Sequence, residues 1–231
     1  MSLPKLDTPT YTLTLPSNNK QIVFRPFLVK EFKILLTLSQ ADEEEVIRVI
    51  KNLVKACTFD QIDVEKLPHF DIEFLFMNLR SKSIGENVDV ILTCEGCENK
   101  YEHTFSIENL VVNKTEGHTN NIRLNESVVL SMKYPTFESV AKLLDSDEET
   151  AFNVVVNCID GIYSEDQYFE AKDQTKEELT EFVNCLTRDQ FLEIEKFLKT
   201  SPKILQRFES VCPNCNKTNV TKIEGLQNFF V

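Results

Sequence analysis

The sequence predicts an α+β protein in which an N-terminal β-hairpin and helices precede a strand-rich middle. Two observations predict the class: apolar residues alternate with a period of two in several short segments and recur every three or four residues in others. A third observation predicts how these elements are arranged along the chain: two Cys-x-x-Cys motifs lie far apart in the sequence. We expect hairpin and helices over residues 1–85, a split zinc-ribbon region over 86–134 and 202–231, and an inserted helical block over 135–201.

The N-terminal pattern predicts a hairpin followed by three helices. Tyr11 and Leu13 alternate with threonines, as in a half-buried strand, and a turn leads to a return strand. Four acidic residues at 42–45 fit the first turn of a helix, where the helix dipole favours negative charge. The predicted elements are a strand at 10–15, a turn at 16–20, a strand at 21–24, and helices from 30 to about 41, from 42 to 57 and from about 71 to 83.

The rest of the chain predicts strands on either side of four helices. Thr187 followed by Gln190 is a capping-box pattern and marks the start of the last of these helices. Residues 162–169 fit either a short strand or an irregular loop. The other predicted elements are strands at 88–93, 101–107, 204–211 and 219–224, a strand pair spanning 122–133, and helices with apolar stripes at 137–144, 152–159, 179–186 and 191–198.

The composition excludes several classes of function. Of 231 residues, 42% are hydrophobic and 27% charged, as in an ordinary soluble globular protein. A formal net charge of −12 disfavours nucleic-acid binding, which depends on cations that displace counterions from phosphates. The Gly-rich phosphate loops of P-loop and Rossmann proteins are missing from the sequence. Neither an export signal nor an apolar run of membrane-spanning length is visible, so we expect a cytoplasmic protein without a membrane partner.

Two cysteine pairs carry the clearest chemical signal. Cys94 with Cys97, and Cys212 with Cys215, each lie between two predicted strands, with Gly or Pro in the two-residue gap. This knuckle pattern lets both thiolates point at one ion, and two knuckles complete a tetrahedral site with Zn–S distances of about 2.3 Å. Because residues 98–211 intervene, we predict a split ribbon with one structural Zn²⁺ per chain. A redox dithiol is disfavoured, since its reactive thiol is expected at a helix N-terminus.

Other candidate residues have simpler interpretations. Cys57, Cys158 and Cys185 lie on or beside apolar helical stripes and predict core packing. We expect His103 to be a strand residue and not a fifth ligand. The acidic run 145–149 lacks the glycine and the spacing of an EF-hand, so it predicts a helix start. No catalytic motif such as GxSxG or HExxH is present, and the chain is predicted not to be an enzyme.

Two segments predict either packing or binding. Residues 24–31 fit packing between the hairpin and the first helix, with a partner surface as the alternative. Residues 226–231 end in Phe-Phe-Val and fit either a last strand buried on the ribbon or an anchor for another subunit, where aromatic side chains often dominate binding.

Seven stretches match a known sequence pattern: Leu3–Tyr11, Leu15–Ser17, Phe24–Glu31, Lys33–Leu36, Asp63–Pro68, Phe70–Glu73 and Leu79–Glu86. They resemble the baseplate hub assembly family of contractile-tailed, T4-like bacteriophages. The resemblance is densest over residues 3–97 and includes the first cysteine knuckle. It implies a late phage protein that builds or forms part of the tail hub without catalysis. It also implies other baseplate hub and tail proteins as partners, and a location in the host cytoplasm during assembly or in the virion tail.

Two other functions remain as alternatives. A carboxylate-based hydrolase would need a polar cleft of converging acids with shifted pKa values. A zinc-ribbon regulator that binds nucleic acid would need a basic face near the knuckles, and Glu95, Glu98 and Glu209 argue against one.

Overall fold

The computed structural model describes residues 6–38, 42–108, 110–144 and 148–224, and its mixture of helices and strands confirms the α+β class. The strands are β1 Tyr11–Thr14, β2 Gln21–Phe24, β3 Asn87–Thr93, β4 Lys100–Ser106, β5 Val112–Asn113, β6 Asn121–Arg123, β7 Val128–Met132, β8 Ile159–Ser164, β9 Gln167–Glu170, β10 Lys203–Val211 and β11 Thr218–Glu224. The helices are α1 Val29–Thr37, α2 Glu43–Cys57, α3 His69–Ser83, α4 Phe137–Leu144, α5 Glu148–Asn157, α6 Lys176–Asn184 and α7 Arg188–Lys199.

The chain forms two compact units. One consists of residues 114–202, and the other is built from the segments before and after it, residues 1–113 and 203–231. The metal-site cysteines predicted from the sequence all belong to the discontinuous unit, which we call the first unit.

In the first unit, the β1–β2 hairpin and helices α1 to α3 follow the predicted order. Asp42 caps α2 by accepting a hydrogen bond from the Glu45 N–H over 2.8 Å, which matches the predicted acidic start. Helix α3 buries residues on all sides, Phe70 and Phe76 among them. Helix α1 is assigned from Val29 to Thr37, and its predicted end near Ala41 lies outside the described residues.

Two further antiparallel hairpins complete the first unit. Strands β3 and β4 pair from Asn87 opposite Ser106 to Thr93 opposite Lys100. Strands β10 and β11 pair from Leu205 to Val211, and β5 extends this sheet at the other edge of β10. Each hairpin therefore presents a tight turn at its end, and these turns hold the two cysteine motifs.

The second unit packs helices against a four-stranded antiparallel sheet with the order β6-β7-β8-β9. Residues 162–169, for which strand and loop were both open, form most of the β8–β9 hairpin. Since β7 pairs with β8, strands β6 and β7 share this unit with the helices. The buried core of this unit comprises Ile122, Leu130, Met132, Val154, Val155, Val156, Cys158, Ile159, Leu179, Val183, Ile194 and Phe197.

Most local predictions in the second unit are confirmed, but the predicted core packing of Cys185 is wrong. Thr187 and Gln190 form the predicted capping box, with reciprocal hydrogen bonds at the start of α7. Cys57 in the first unit and Cys158 in the second are buried, as expected for core thiols. Cys185 is exposed because α6 ends there and the residue becomes its C-cap. Within the acidic run predicted to start a helix, residues 145–147 lie outside the described part of the chain.

Candidate metal centre

The structure brings the four predicted cysteines together. The Sγ atoms of Cys94 and Cys215 are 3.6 Å apart, and those of Cys97 and Cys212 are 3.7 Å apart. All four Sγ atoms lie within 4.8 Å of one another. A tetrahedron of sulfurs at about 2.3 Å from a central zinc has edges of about 3.8 Å, so these separations fit a four-thiolate metal site.

Both knuckles form the same hydrogen-bonded turn. The Cys94 N–H donates to the Asn99 carbonyl over 2.9 Å, and the Cys94 carbonyl accepts from the Glu98 N–H over 2.9 Å. The second knuckle repeats both bonds at the same length, with Cys212, Lys217 and Asn216 in the corresponding positions.

The residue after the second cysteine lets each chain reverse into its return strand. Glu98 and Asn216 occupy this position, and both have φ of 58°, the left-handed conformation. Asparagine adopts this conformation readily, whereas glutamate does so at some cost in backbone energy. The equal geometry of the two turns explains why both cysteine pairs present their sulfurs in the same way.

N–H groups surround the sulfurs of the first knuckle. The Gly96 N–H approaches Cys94 Sγ at 3.3 Å, and the side-chain amide of Asn214 approaches Cys97 Sγ at 3.6 Å. The Gly96 bond is the largest influence that lowers the pKa of the Cys94 thiol to about 6. The Asn99 N–H is the main group that lowers the pKa of Cys97. Donors of this kind favour thiolates, the form that binds metal.

The fourth cysteine resists deprotonation. The Lys217 N–H favours its thiolate, but the sulfurs of Cys97, Cys94 and Cys212 raise the pKa of Cys215 to about 12. Four negative charges this close repel one another, so the first thiolates to form disfavour the last. A bound dication would supply the opposite charge that this cluster needs.

Asn219 joins the two knuckles, and sequence reasoning did not identify it. This residue of β11 is only 5% exposed, and its amide oxygen accepts a hydrogen bond from the Glu95 N–H over 3.2 Å. Its Nδ2 approaches Cys94 Sγ at 3.6 Å and the Tyr101 hydroxyl at 3.1 Å. That hydroxyl also bonds Ser210 on β10 over 2.8 Å. One feature of the sequence could have pointed to Asn219: it is an asparagine on the buried face of a strand, where this residue type is uncommon.

The other cysteines and His103 lie elsewhere. His103 is on β4, as expected, and stacks on Phe208 with ring centroids 4.9 Å apart. Burial raises the pKa of Cys57 to about 11 and that of Cys158 to about 12, so both stay protonated and unreactive. Among the described residues, the groups that meet at one point with metal-binding atoms are the four knuckle cysteines.

Residues 24–31 contain a buried ion pair that joins the hairpin to α1. The two guanidinium nitrogens of Arg25 donate to the two carboxylate oxygens of Glu31 over 2.9 and 3.2 Å. The same carboxylate accepts from the Leu28 N–H over 2.6 Å at the start of α1. The predicted packing is therefore observed for this part of the segment, although Val29 stays exposed.

The charges around the site give little support to a nucleic-acid-binding function, and the buried acids give little support to a carboxylate-based hydrolase. Residues 87–106 and 203–224 carry six acidic and five basic side chains, and four thiolates with one dication would add about −2. Such a surface does not attract a phosphate backbone. The buried carboxylate of Asp71 accepts from the N–H and hydroxyl of Ser17, and so holds the β1–β2 turn.

Comparisons with known proteins point to one kind of protein. A family model described as "T4 bacteriophage base plate protein" matches residues 8–231. Baseplate hub assembly protein gp26 of Enterobacteria phage T4 is 24% identical over 225 residues, which cover 95% of this chain and 97% of that protein. No solved structure gives a significant match.

Within the described residues, no helix has the length and apolar character needed to cross a membrane. Residues 226–231, predicted as a strand or an anchor, lie outside them.

Proposed function

The chain belongs to the family of T4 bacteriophage base plate proteins, and on that premise we propose that it is a hub component or hub assembly factor that binds other hub and tail proteins. The observation that carries the proposal is the similarity to a protein named for baseplate hub assembly, which extends over nearly the whole of both chains. The protein acts through contacts and not through catalysis. It works in the host cytoplasm while the baseplate is assembled.

The cysteine cluster binds one structural Zn²⁺ in this proposal. The ligands are Cys94, Cys97, Cys212 and Cys215, and their sulfur separations support tetrahedral coordination. Four cysteine ligands leave no open position for water or substrate, which is typical of structural and not catalytic zinc. The ion supplies charge neutralisation and four bonds that tie the β3–β4 turn to the β10–β11 turn. It thereby stabilises the surfaces of the first unit that hub proteins would contact.

Metal content tests the shared site. We expect one zinc per chain by elemental analysis of the purified protein, and loss of that zinc from both Cys94→Ser and Cys212→Ser. Cys185→Ser is the matched control, since Cys185 is exposed, belongs to the second unit and is not a member of the cluster, and it should retain full zinc. Iron in place of zinc would contradict the metal assignment, because tetrahedral sulfur sites also suit iron. Half of the zinc retained in each knuckle variant would contradict the shared site.

Co-expression tests the hub function separately. The protein should form a stable complex with at least one baseplate hub or tail protein of its own phage when the two are produced together and purified through a tag on one of them. A complex that forms with wild type and with Cys185→Ser, but not with Cys94→Ser, would link binding to the zinc-stabilised fold. Failure to associate with any of the phage's hub or tail proteins would contradict the proposal. Analysis of purified tails then distinguishes the two roles: a hub component should be present in them, and an assembly factor should be absent.

A further inference from the structure

Helix α1 carries an apolar stripe on its outer face. Val29, Phe32 and Leu36 follow one another at i, i+3 and i+7, so they lie along one side of the helix. Their exposed fractions are 71%, 38% and 63%. The residue of α1 that is buried is the charged Glu31. A surface helix normally turns its apolar stripe toward the core, so this arrangement is the reverse of the usual one.

The orientation of α1 is fixed by its buried ion pair. Glu31 receives two hydrogen bonds from Arg25, and turning the helix to bury its outer stripe would separate these charges. Lys30 and Lys33 are exposed beside the stripe. The α1 stripe, defined as Val29, Phe32 and Leu36, is therefore a stable surface that is apolar and positively charged, on a chain with a net charge of −12.

The second unit contains a groove of complementary character. A cavity of about 260 Å³ lies between helix α6 and the sheet, and we call it the α6 groove. A cavity of about 150 Å³ with an apolar lining already accepts benzene, so this groove has room for a phenylalanine ring. Phe169 on edge strand β9 is 41% exposed in the groove. Residues that line it include Val128, Ile162, Phe169, Glu178, Leu179 and Phe182.

The α6 groove lies in the acidic part of the chain. Residues 114–202 carry 18 acidic and nine basic side chains, a net charge of −9. Glu178 lines the groove, and the Thr175 N–H is the main group that lowers the pKa of its carboxyl. Glu178 therefore remains an anion at neutral pH. Apolar lining with negative charge at the rim fits an apolar segment that carries lysines.

We propose that the α1 stripe of one copy docks into the α6 groove of a second copy, with Phe32 in the cavity and Lys33 facing Glu178. Pairing of two α1 stripes is disfavoured, because Lys30 and Lys33 of both copies would then face each other. The contact joins two different surfaces, so a pair as a whole keeps one free helix, on one copy, and one free groove, on the other, for further copies. Such head-to-tail contacts produce rings or chains. The inference goes beyond the proposed function and does not rest on the metal site.

The full-length protein provides the test. One short helix in one groove makes a small interface, so we expect weak self-association that sedimentation velocity detects between about 1 and about 300 μM. Phe32→Asp removes the helix contact, and Phe169→Asp removes the groove contact. Each should weaken self-association at least about tenfold, since both place a charge in an apolar contact. Leu36→Asp is a second helix variant in case Phe32→Asp does not fold.

Mixing the two variants distinguishes this contact from other modes of association. Phe169→Asp keeps its helix and Phe32→Asp keeps its groove, so an equimolar mixture should form pairs. The pairs should not grow further, because their remaining helix and groove are both disrupted. Ile91→Asp, at an exposed position on β3, is the matched control and should associate like the wild type.

Several outcomes would overturn the proposal. These are a wild type that stays monomeric throughout the concentration range, association that survives Phe32→Asp, Leu36→Asp and Phe169→Asp, and a mixture that fails to form pairs. A mixture that grows beyond two copies would equally exclude the proposed pairing of helix and groove. The proposed hub function would be untouched by any of these results, because its test depends on partners other than the chain itself.

Discussion

At the scale of single residues, Asn219 does the most to connect the two halves of the proposed metal centre. Its side chain contacts a ligand sulfur, a backbone N–H of the other knuckle and the Tyr101 hydroxyl. Groups that orient metal ligands commonly change metal affinity by about 10- to 100-fold when they are removed. The buried position also means that any substitution must leave some of these partners without a hydrogen bond.

We expect Asn219→Ala to lower zinc affinity by about 10- to 100-fold, because the sulfur of Cys94 loses a donor and the Glu95 turn loses its acceptor. Competition with a chelator of known affinity measures the change. Asn214→Ala is the control, since Asn214 is exposed and has one contact of 3.6 Å with a ligand sulfur. Equal losses in the two variants would show that Asn219 has no special role.

The Arg25–Glu31 pair is the second residue-scale feature that a variant can test. Glu31→Gln leaves the Arg25 guanidinium buried without its counter-charge, which typically costs about 3 kcal/mol or more. Urea unfolding at neutral pH should therefore show a loss of about 3 kcal/mol in the free energy of unfolding. Lys33→Gln, at an exposed position of the same helix, should change it by less than about 0.5 kcal/mol.

The same pair predicts a dependence on pH. Burial alone would raise the pKa of Glu31, but hydrogen bonds from Arg25 and from the Leu28 N–H outweigh it and hold the pKa below its usual range. The stability that Glu31 contributes is then complete above its unfolded pKa of about 4.3 and is lost as pH falls through the lower folded pKa. The difference between wild type and Glu31→Gln should shrink below about pH 4. A difference that stays constant with pH would rule out this contribution.

At the scale of elements, the helix starts show how local sequence sets structure. Helices α6 and α7 both begin with a threonine whose hydroxyl accepts from the N–H three residues later, while the side chain at that later position returns a bond to the threonine N–H. Helix α1 is capped differently. Leu28, the residue before its first turn, has no side-chain acceptor, so the cap consists of the Leu28 N–H donating to the Glu31 carboxylate. The start of α1 therefore depends on the same carboxylate that pairs with Arg25.

Thr187→Ala should destabilise the second unit by about 1 kcal/mol, since the hydroxyl that caps α7 is lost while the helix must still form. Thermal unfolding measures the change, and Thr187→Ser should restore most of the stability because serine supplies the same oxygen. If alanine and serine had equal effects, the methyl group and not the cap would be responsible.

At the scale of the whole molecule, the proposed metal centre joins cysteines that are far apart in sequence but lie in the same compact unit. A cross-link that closes a long loop constrains the unfolded chain more than one that closes a short loop. The second unit contains none of the four cysteines, and it has a buried core of its own. The two units should therefore respond differently to loss of metal.

Removing the metal with a strong chelator should unfold the β3–β4 and β10–β11 hairpins and leave the second unit folded. Hydrogen exchange should show that amides of 87–106 and 203–224 lose protection, while those of 128–132 and 159–164 keep it. Added zinc should restore the lost protection. If the amides of both units lost protection together, or if those of neither unit did, the assignment of the metal to the first unit alone would be contradicted.

The sequence by itself determined the features that depend on neighbouring residues. Strand alternation, the acidic start of α2, the Thr187 capping box and the two knuckles follow from short-range spacing, because backbone hydrogen bonds within a turn span only a few residues. The resemblance to baseplate proteins was equally visible in short stretches, and the match over residues 8–231 places the chain in that family.

Tertiary structure decided what depends on residues distant in sequence. The link from Asn219 to the Glu95 turn and the pairing of residues 162–164 with β7 join segments that are far apart in the sequence and carry no local signal for each other. The burial of the Arg25–Glu31 pair likewise depends on packing and not on the spacing of the two residues. Cys185 lies beside an apolar stripe yet is exposed, since the point where α6 ends sets its direction. The four cysteines belong to both groups: their spacing within each knuckle was readable in the sequence, but only folding brings their sulfurs within 4.8 Å of one another.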